Sequence, residues 1–217
     1  MCPGRRIFRV FLNRSVHAAL VAALVITPLA VFAQMPADHQ HHMLPSGATG
    51  NVTSVVSGLT IPDVALVNQR GETVHVYSDL IKGKTVVINT IFTTCTTICP
   101  LMGANFASLR KILDTQGQRK VNLISISIDP VADTPARLEE WQHRFGQTGP
   151  GWTLLTGSKS EVDRLLKALR IFTADKLDHA PIALIGGDNR ADWVRASALM
   201  SPSRLAELVS THSKAGL

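Results

Sequence analysis

Thr85-Val86-Val87-Ile88-Asn89-Thr90-Ile91-Phe92 runs directly into Thr93-Thr94-Cys95-Thr96-Thr97-Ile98-Cys99-Pro100. The first eight residues are rich in β-branched side chains and almost continuously apolar, the composition of a short strand buried on both faces. From about Ile98 to Thr115 the apolar side chains fall at helical spacing instead: Leu101, Ala104, Leu109, Ile112 and Leu113. A strand and a helix therefore meet at the two cysteines. Pro100 suits an early helical position, where no N–H is needed. Val121–Ile128 (VNLISISI) reads as a second strand. Strand, helix and strand in that order predict parallel pairing through a right-handed crossover.

Outward from this unit the periods alternate. Val64–Val67 and Val74–Val76 flank Asn68-Gln69-Arg70-Gly71, a hairpin signal. Thr134 can cap a helix that has Pro135 at its first position and runs to about Phe145. Ser158-Lys159-Ser160-Glu161 is a capping-box pattern that opens a helix to about Ile171. Ile182–Ile185 and Trp193–Ala196 read as strands around a turn at Gly186-Gly187-Asp188-Asn189, and Ser201-Pro202 starts the last helix. The order predicts an α/β chain, a thioredoxin-like fold with an N-terminal β-hairpin, spanning residues 59–217.

Residues 34–58 read as a flexible tail that carries His39-Gln40-His41-His42-Met43 with Met35 nearby, a potential capture point for metal. Residues 1–33 read as a signal peptide or an N-terminal membrane anchor. Arg5, Arg6, Arg9 and Arg14 precede the apolar run Ala18–Phe32, and Val31-Phe32-Ala33 offers a cleavage site. The expected location is outside the cytoplasm: the periplasm, or the periplasmic face of the inner membrane if bacterial. The chain of 217 residues is 45% hydrophobic, enough for a packed core. Its formal charge of +6 is no nucleic-acid footprint. Without the four arginines of that acid-free leader it falls to about +2, and no basic stripe with interleaved aromatics remains.

Cys2 lies in the leader, so the mature chain holds only Cys95 and Cys99. A disulfide between residues this close closes a tiny loop and adds little stability, so chemistry explains the pair better than stapling. At a helix start, unpaired N–H groups favour thiolate over thiol. Residues four apart on a helix share a face, with β-carbons roughly 5–6 Å apart, within reach of one disulfide or one metal ion. Two thiolates suit Cu(I), zinc or iron–sulfur chemistry. Zinc and cluster sites normally want four protein ligands, and the mature chain lacks four cysteines. A histidine can serve as a third ligand. The candidates are His39, His41, His42, His75, His143, His179 and His212. His75 falls in a hairpin strand, His143 on a helix and His212 in the terminal tail. His179, in Lys176-Leu177-Asp178-His179-Ala180-Pro181, precedes the strand Ile182–Ile185, and in a thioredoxin-like domain that loop faces the cysteine-bearing helix start.

Phe92-Thr93-Thr94-Cys95-Thr96-Thr97-Ile98-Cys99-Pro100 resembles the signature of the Sco/SenC proteins, F-T-x-C-x-x-x-C-P. Ser127-Ile128-Asp129-Pro130-Val131-Ala132-Asp133-Thr134-Pro135 resembles that family's S-x-D-P-x-x-D-T-P segment, and Asp178-His179 before an apolar strand is similar to its third element. The resemblance implies that Cys95, Cys99 and His179 bind copper. It implies a metallochaperone that delivers copper to the dinuclear copper site of cytochrome c oxidase, or keeps that site's cysteines reduced. The implied partners are the oxidase's copper-site subunit or another copper acceptor, and a thiol–disulfide reductant. Two departures bear on tuning: Thr97 stands where many members have aspartate, and the strand after His179 ends in Gly186-Gly187 instead of an aspartate. The alternative is an enzyme, an exported thiol–disulfide oxidoreductase or thiol peroxidase using Cys95 and Cys99 as a redox pair. Asp129 and Asp133 are expected to organise the strand-to-helix connection, with Asp133 and Thr134 as capping residues and no catalytic role.

Overall fold

The computed structural model describes residues 53–146, 149–188 and 191–214. The stretch read as a signal or anchor and most of the stretch read as a tail, including His39, His41, His42 and Met43, lie outside the described residues. The strands are β1 (Ser54–Ser57), β2 (Ala65–Asn68), β3 (Thr73–His75), β4 (Thr85–Ile91), β5 (Asn122–Ser127), β6 (Trp152–Thr156), β7 (Ile182–Gly187) and β8 (Asp192–Ser197). The helices are α1 (Ile98–Thr115), α2 (Pro135–His143), α3 (Lys159–Ala168) and α4 (Pro202–Lys214). A π-type turn covers Val76–Ile81 and a 3-10 turn Lys176–Asp178. Among the described residues no helix is long and apolar enough to cross a membrane.

One mixed sheet carries all eight strands in the order β1-β8-β7-β4-β5-β6-β2-β3. β4 pairs in parallel with β5, as the strand–helix–strand reading requires, and β5 pairs in parallel with β6. β7 runs antiparallel to β4, so Ala183 at its start lies opposite Asn89. That register brings the loop before β7 to the same end of the sheet as the loop after β4. The strands alternate their side chains between two cores. Val87 and Ile91 of β4 pack with α1, α2 and α4 through Phe106, Leu138, Trp141 and Leu205. Val86 and Ile88 pack on the other face with α3, through Val162, Leu165 and Leu166. A strand buried on both faces cannot alternate apolar with polar, which is why TVVINTIF is apolar almost throughout.

The capping residues act as their chemistry dictates. Thr134 Oγ1 accepts from Arg137 N at 3.4 Å, and Ser158 Oγ accepts from Glu161 N at 3.3 Å. In the β2–β3 hairpin Asn68 Oδ1 accepts from Arg70 N and Glu72 N, and Gly71 takes the positive φ of 80° that the turn demands.

Several expectations about the elements need correction. β6 was not expected: Trp152–Thr156 is short, lies between Gly151 and Gly157, and its role is tertiary, joining the β2–β3 hairpin to β5. β1 falls inside the stretch read as tail, because Ser54–Ser57 pairs with β8 over 130 residues away and has no local signal. The turn at Gly186-Gly187 is instead the end of β7. A β-carbon on Gly186 would collide with the Trp193 ring and one on Gly187 with Lys84 O, so these glycines permit close approach. Helices α2 and α3 end earlier than expected, at His143 and Ala168.

Candidate metal centre

The cysteine loop starts where β4 ends. Asp133, fully buried, accepts from Thr93 N at 3.2 Å, from Thr93 Oγ1 at 2.6 Å and from Ser127 Oγ at 2.6 Å. One carboxylate thus ties the end of β4 to the end of β5, two residues before Cys95. The expectation that Asp133 caps α2 is corrected: Thr134 is the cap, and Asp133 turns inward to hold the cysteine loop. Cys95 N donates to Phe92 O at 3.2 Å and closes the turn into α1.

Thr97 precedes α1 without a side-chain capping bond. Cys95 supplies that acceptor. Cys99 N donates to Cys95 Sγ at 3.4 Å, so the sulfur faces an otherwise orphaned N–H of the first helical turn. Thr97 Oγ1 lies 3.5 Å from the same sulfur. Burial works against the Cys95 thiolate, yet donors at Thr97 and Cys99 outweigh it and bring the thiol down to about 7. Cys99 is the opposite. Burial pushes its thiol up to about 12, with the neighbouring Cys95 and Asp133 charges adding to the effect. Both cysteines are free thiols, Cys95 8% exposed and Cys99 fully buried.

His179 arrives from 80 residues away, its Nε2 3.5 Å from Cys99 Sγ. Its Nδ1 lies 2.8 Å from Lys176 O. A carbonyl only accepts, so Nδ1 carries the proton and Nε2 presents its lone pair to the sulfur. Burial holds the imidazole below its ordinary pKa, against a smaller opposing effect of the Lys176 carbonyl, so the ring is neutral at pH 7. The His179 and Phe92 rings also pack in a T-shaped arrangement, centroids 5.3 Å apart.

Cys95, Cys99 and His179 are therefore brought together at one end of the sheet. The other described histidines are elsewhere: His75 is exposed on β3, His143 is exposed at the end of α2, and His212 is buried within α4 instead of lying in a terminal tail. Among the described residues no three His, Cys, Asp or Glu side chains form a preassembled metal-holding group. The contacts run instead as a chain, from Cys95 through Cys99 to His179. Two soft sulfurs and one borderline nitrogen with its tautomer set suit a copper ion better than a hard, oxygen-seeking one. Asp133 and Lys176 support the site without having been singled out for it. Asp133 lay in a segment read as a helix cap, and Lys176 has no sequence signal at all.

The sequence profile of the SCO1/SenC family matches residues 57–207. The chain belongs to the SCO1/SenC family. This SCO1/SenC protein is 37% identical over 108 residues to the SCO1 protein homolog of Bacillus subtilis (strain 168), a match covering 49% of this chain and 53% of that one. It spans about half the length of the curated relatives it matches. BsSco, a member of the Sco family of cytochrome c oxidase assembly proteins in which a disulfide switch was identified, is similar at a TM-score of 0.63 and 25% identity, over 75% of this chain and 98% of BsSco. Bradyrhizobium japonicum ScoI, solved with copper bound, is similar at a TM-score of 0.57 and 24% identity, over 70% of this chain and 99% of ScoI. The SCO1/SenC chain shares with these structures the expected thioredoxin-like fold.

Proposed function

We propose that this protein is an exported copper metallochaperone, in which Cys95, Cys99 and His179 take up one copper ion as cargo. It passes that ion to the copper-site subunit of cytochrome c oxidase or to another copper acceptor. The observation that carries the reading is the meeting of Cys99 Sγ with His179 Nε2 at 3.5 Å across 80 residues. A buried imidazole with its free nitrogen against a buried thiol has no evident packing purpose that a leucine would not serve better.

The residues divide the work. Cys95, the more exposed sulfur and the one near half-ionised at neutral pH, meets the ion first. Cys99 gives up a tightly held proton as it becomes the second ligand. His179 adds its Nε2 without proton loss. Oxidation of the pair removes both sulfur ligands, so redox state and copper load are coupled. Export is supported by the basic stretch Arg5–Arg14 followed by the apolar run Ala18–Phe32.

A second reading is favoured by one observation, the unequal sulfurs. As a thiol–disulfide oxidoreductase, the Cys95 thiolate attacks a partner disulfide, breaking its S–S bond and releasing one partner sulfur as a thiolate. Cys99 then loses its proton and attacks Cys95 Sγ in the mixed disulfide, releasing the second partner thiol and leaving Cys95–Cys99 oxidised. Anaerobic copper titration of the reduced protein beside Cys95→Ser and His179→Ala separates the readings. A stoichiometric complex lost in both variants supports the chaperone. Full copper binding in His179→Ala, with disulfide exchange dependent on Cys95, establishes the oxidoreductase instead.

A further inference from the structure

The histidine half of the site is held in an unusual way. The turn Lys176–Asp178 buries none of its residues, and Leu177 is 76% exposed. Its hydrogen bonds through Asp175 and Thr173 are local: Asp175 Oδ1 accepts from Leu177 N, and Thr173 Oγ1 donates to Asp175 O. Apolar burial does not fasten this turn to the domain. Lys176 does. Its Nζ pairs with Asp129 Oδ2 at 2.5 Å and sits 5.4 Å from the centroid of the Phe92 ring, while its own carbonyl accepts from His179 Nδ1. Asp129 N in turn donates to Ser127 Oγ, which donates to Asp133, the carboxylate that holds Thr93. A continuous polar path therefore links the tether of the histidine to the anchor of the cysteines.

We propose that Lys176 is a positioning residue for His179: its ion pair with Asp129 fixes the Lys176 carbonyl, and through it the orientation of the imidazole toward Cys99. The inference rests on the copper reading for its consequence but not for its geometry. Exposed ion pairs ordinarily contribute little to global stability. Here the pair fastens a turn that has no buried side chain of its own, so its effect is local and falls on one ring. With the tether cut, the carbonyl wanders, the Nδ1–H loses its fixed acceptor, and Nε2 no longer points steadily at the sulfur. Partners of this kind, one shell beyond a metal ligand, typically change affinity by roughly 10–100-fold when removed.

The test uses the full chain with Lys176→Met, Asp129→Asn and the exchanged pair Lys176→Glu with Asp129→Lys. Long-range nitrogen–proton NMR of the metal-free protein reads the His179 tautomer. The native ring is expected to be locked with Nδ1–H, both single variants to show averaging of the two tautomers, and the exchanged pair to restore the lock. Cu(II) competition titrations with a chelator and the nitrogen coupling in electron paramagnetic resonance supply the second readout. A roughly tenfold or larger loss of affinity is expected in the single variants, restored in the exchanged pair and absent when His179→Ala is already present. A locked ring in both Lys176→Met and Asp129→Asn overturns the proposal. So does an equal affinity loss in the His179→Ala background, which would mark a general structural role. If the native protein binds no copper while the tautomer responds as stated, the copper reading fails and the positioning role stands.

Discussion

The two loops that build the site are held by opposite strategies. The cysteine loop follows the central strand β4, and its Thr93 is gripped by Asp133, which is fully buried. Burial keeps that carboxylate and the Ser127 hydroxyl from turning to water, so letting go costs the desolvation of buried polar groups. The histidine loop follows a turn with no buried residue and is tethered through Lys176, 41% exposed, and Asp129, 17% exposed. Water can replace that contact cheaply. The contrast teaches that the sulfurs are presented by a rigid frame, whereas the imidazole is on an adjustable arm. A carrier that must grip an ion and then release it is served by such a division, because the weakest ligand to hold is the first to leave.

The rigid side breaks with the largest effect. Asp133→Ala leaves Thr93 N, Thr93 Oγ1 and Ser127 Oγ without their buried acceptor, and is expected to cost about 3 kcal/mol in a urea unfolding titration. A loss below about 1 kcal/mol would mean that the cysteine loop is not held there. Next is the pH dependence of copper affinity, which separates the two sulfurs. Cys99 stays protonated to about 12 and Cys95 to about 7. Below pH 7 the ion displaces both protons, so affinity falls by about 100-fold for each unit of acidification. Above pH 7 Cys95 is already ionised and only the Cys99 proton is displaced, so the dependence softens to about tenfold per unit. A single slope from pH 6 to 8.5 would contradict the unequal pair. A smaller effect is expected at Thr97, whose hydroxyl is the largest influence favouring the Cys95 thiolate. Thr97→Val should raise the midpoint of Cys95 alkylation by about one unit, worth about 1.4 kcal/mol, and Thr97→Ser should leave it near 7. No movement with valine would assign the lowered value to the Cys99 N–H instead.

The rigid half was also the legible half. A strand buried on both faces, a helix of 3.6-residue period and the caps Thr134 and Ser158 are local patterns, and each was readable from adjacent residues. The cysteines were legible because they sit at the junction of two such patterns. From the residues alone His179 was readable as a loop before a strand, one of seven candidate histidines, and it was the resemblance of Asp178-His179 to the family's third element that singled it out; its placement depends on the register of β7 against β4, which is not local. β6 and β1 escaped for the same reason, since they are strands by virtue of distant partners. Asp133 was read correctly as an organiser of the strand-to-helix connection, which it holds through Ser127, but wrongly as a cap: next to Thr134-Pro135 a carboxylate looks like one, and which way it points is decided by Thr93, 40 residues earlier. Lys176 is one lysine among many until the fold sets it beside Asp129. Residues that define ends of elements are written locally, and residues that join loops are written only in three dimensions.

The smallest expected effect is the sharpest check on the division between frame and arm. If Lys176 tethers only the arm, Lys176→Met should leave the thermal midpoint within about 1–2 °C of native, because the Asp129 pair is partly exposed and methionine keeps an apolar side chain beside the Phe92 ring that Lys176 Nζ approaches at 5.4 Å. The same variant should hasten amide hydrogen exchange through residues 175–180, while Phe92 to Cys99 exchange as before. Local opening without global loss is the signature of a segment held by a surface contact, since exchange there reports the free energy of that segment alone. A fall of several degrees, or faster exchange spreading through β4 and the first turn of α1, would show the two loops to be one cooperative unit. The path from Lys176 through Asp129, Ser127 and Asp133 to Thr93 would then transmit strain as well as position, and the adjustable arm would be part of the frame.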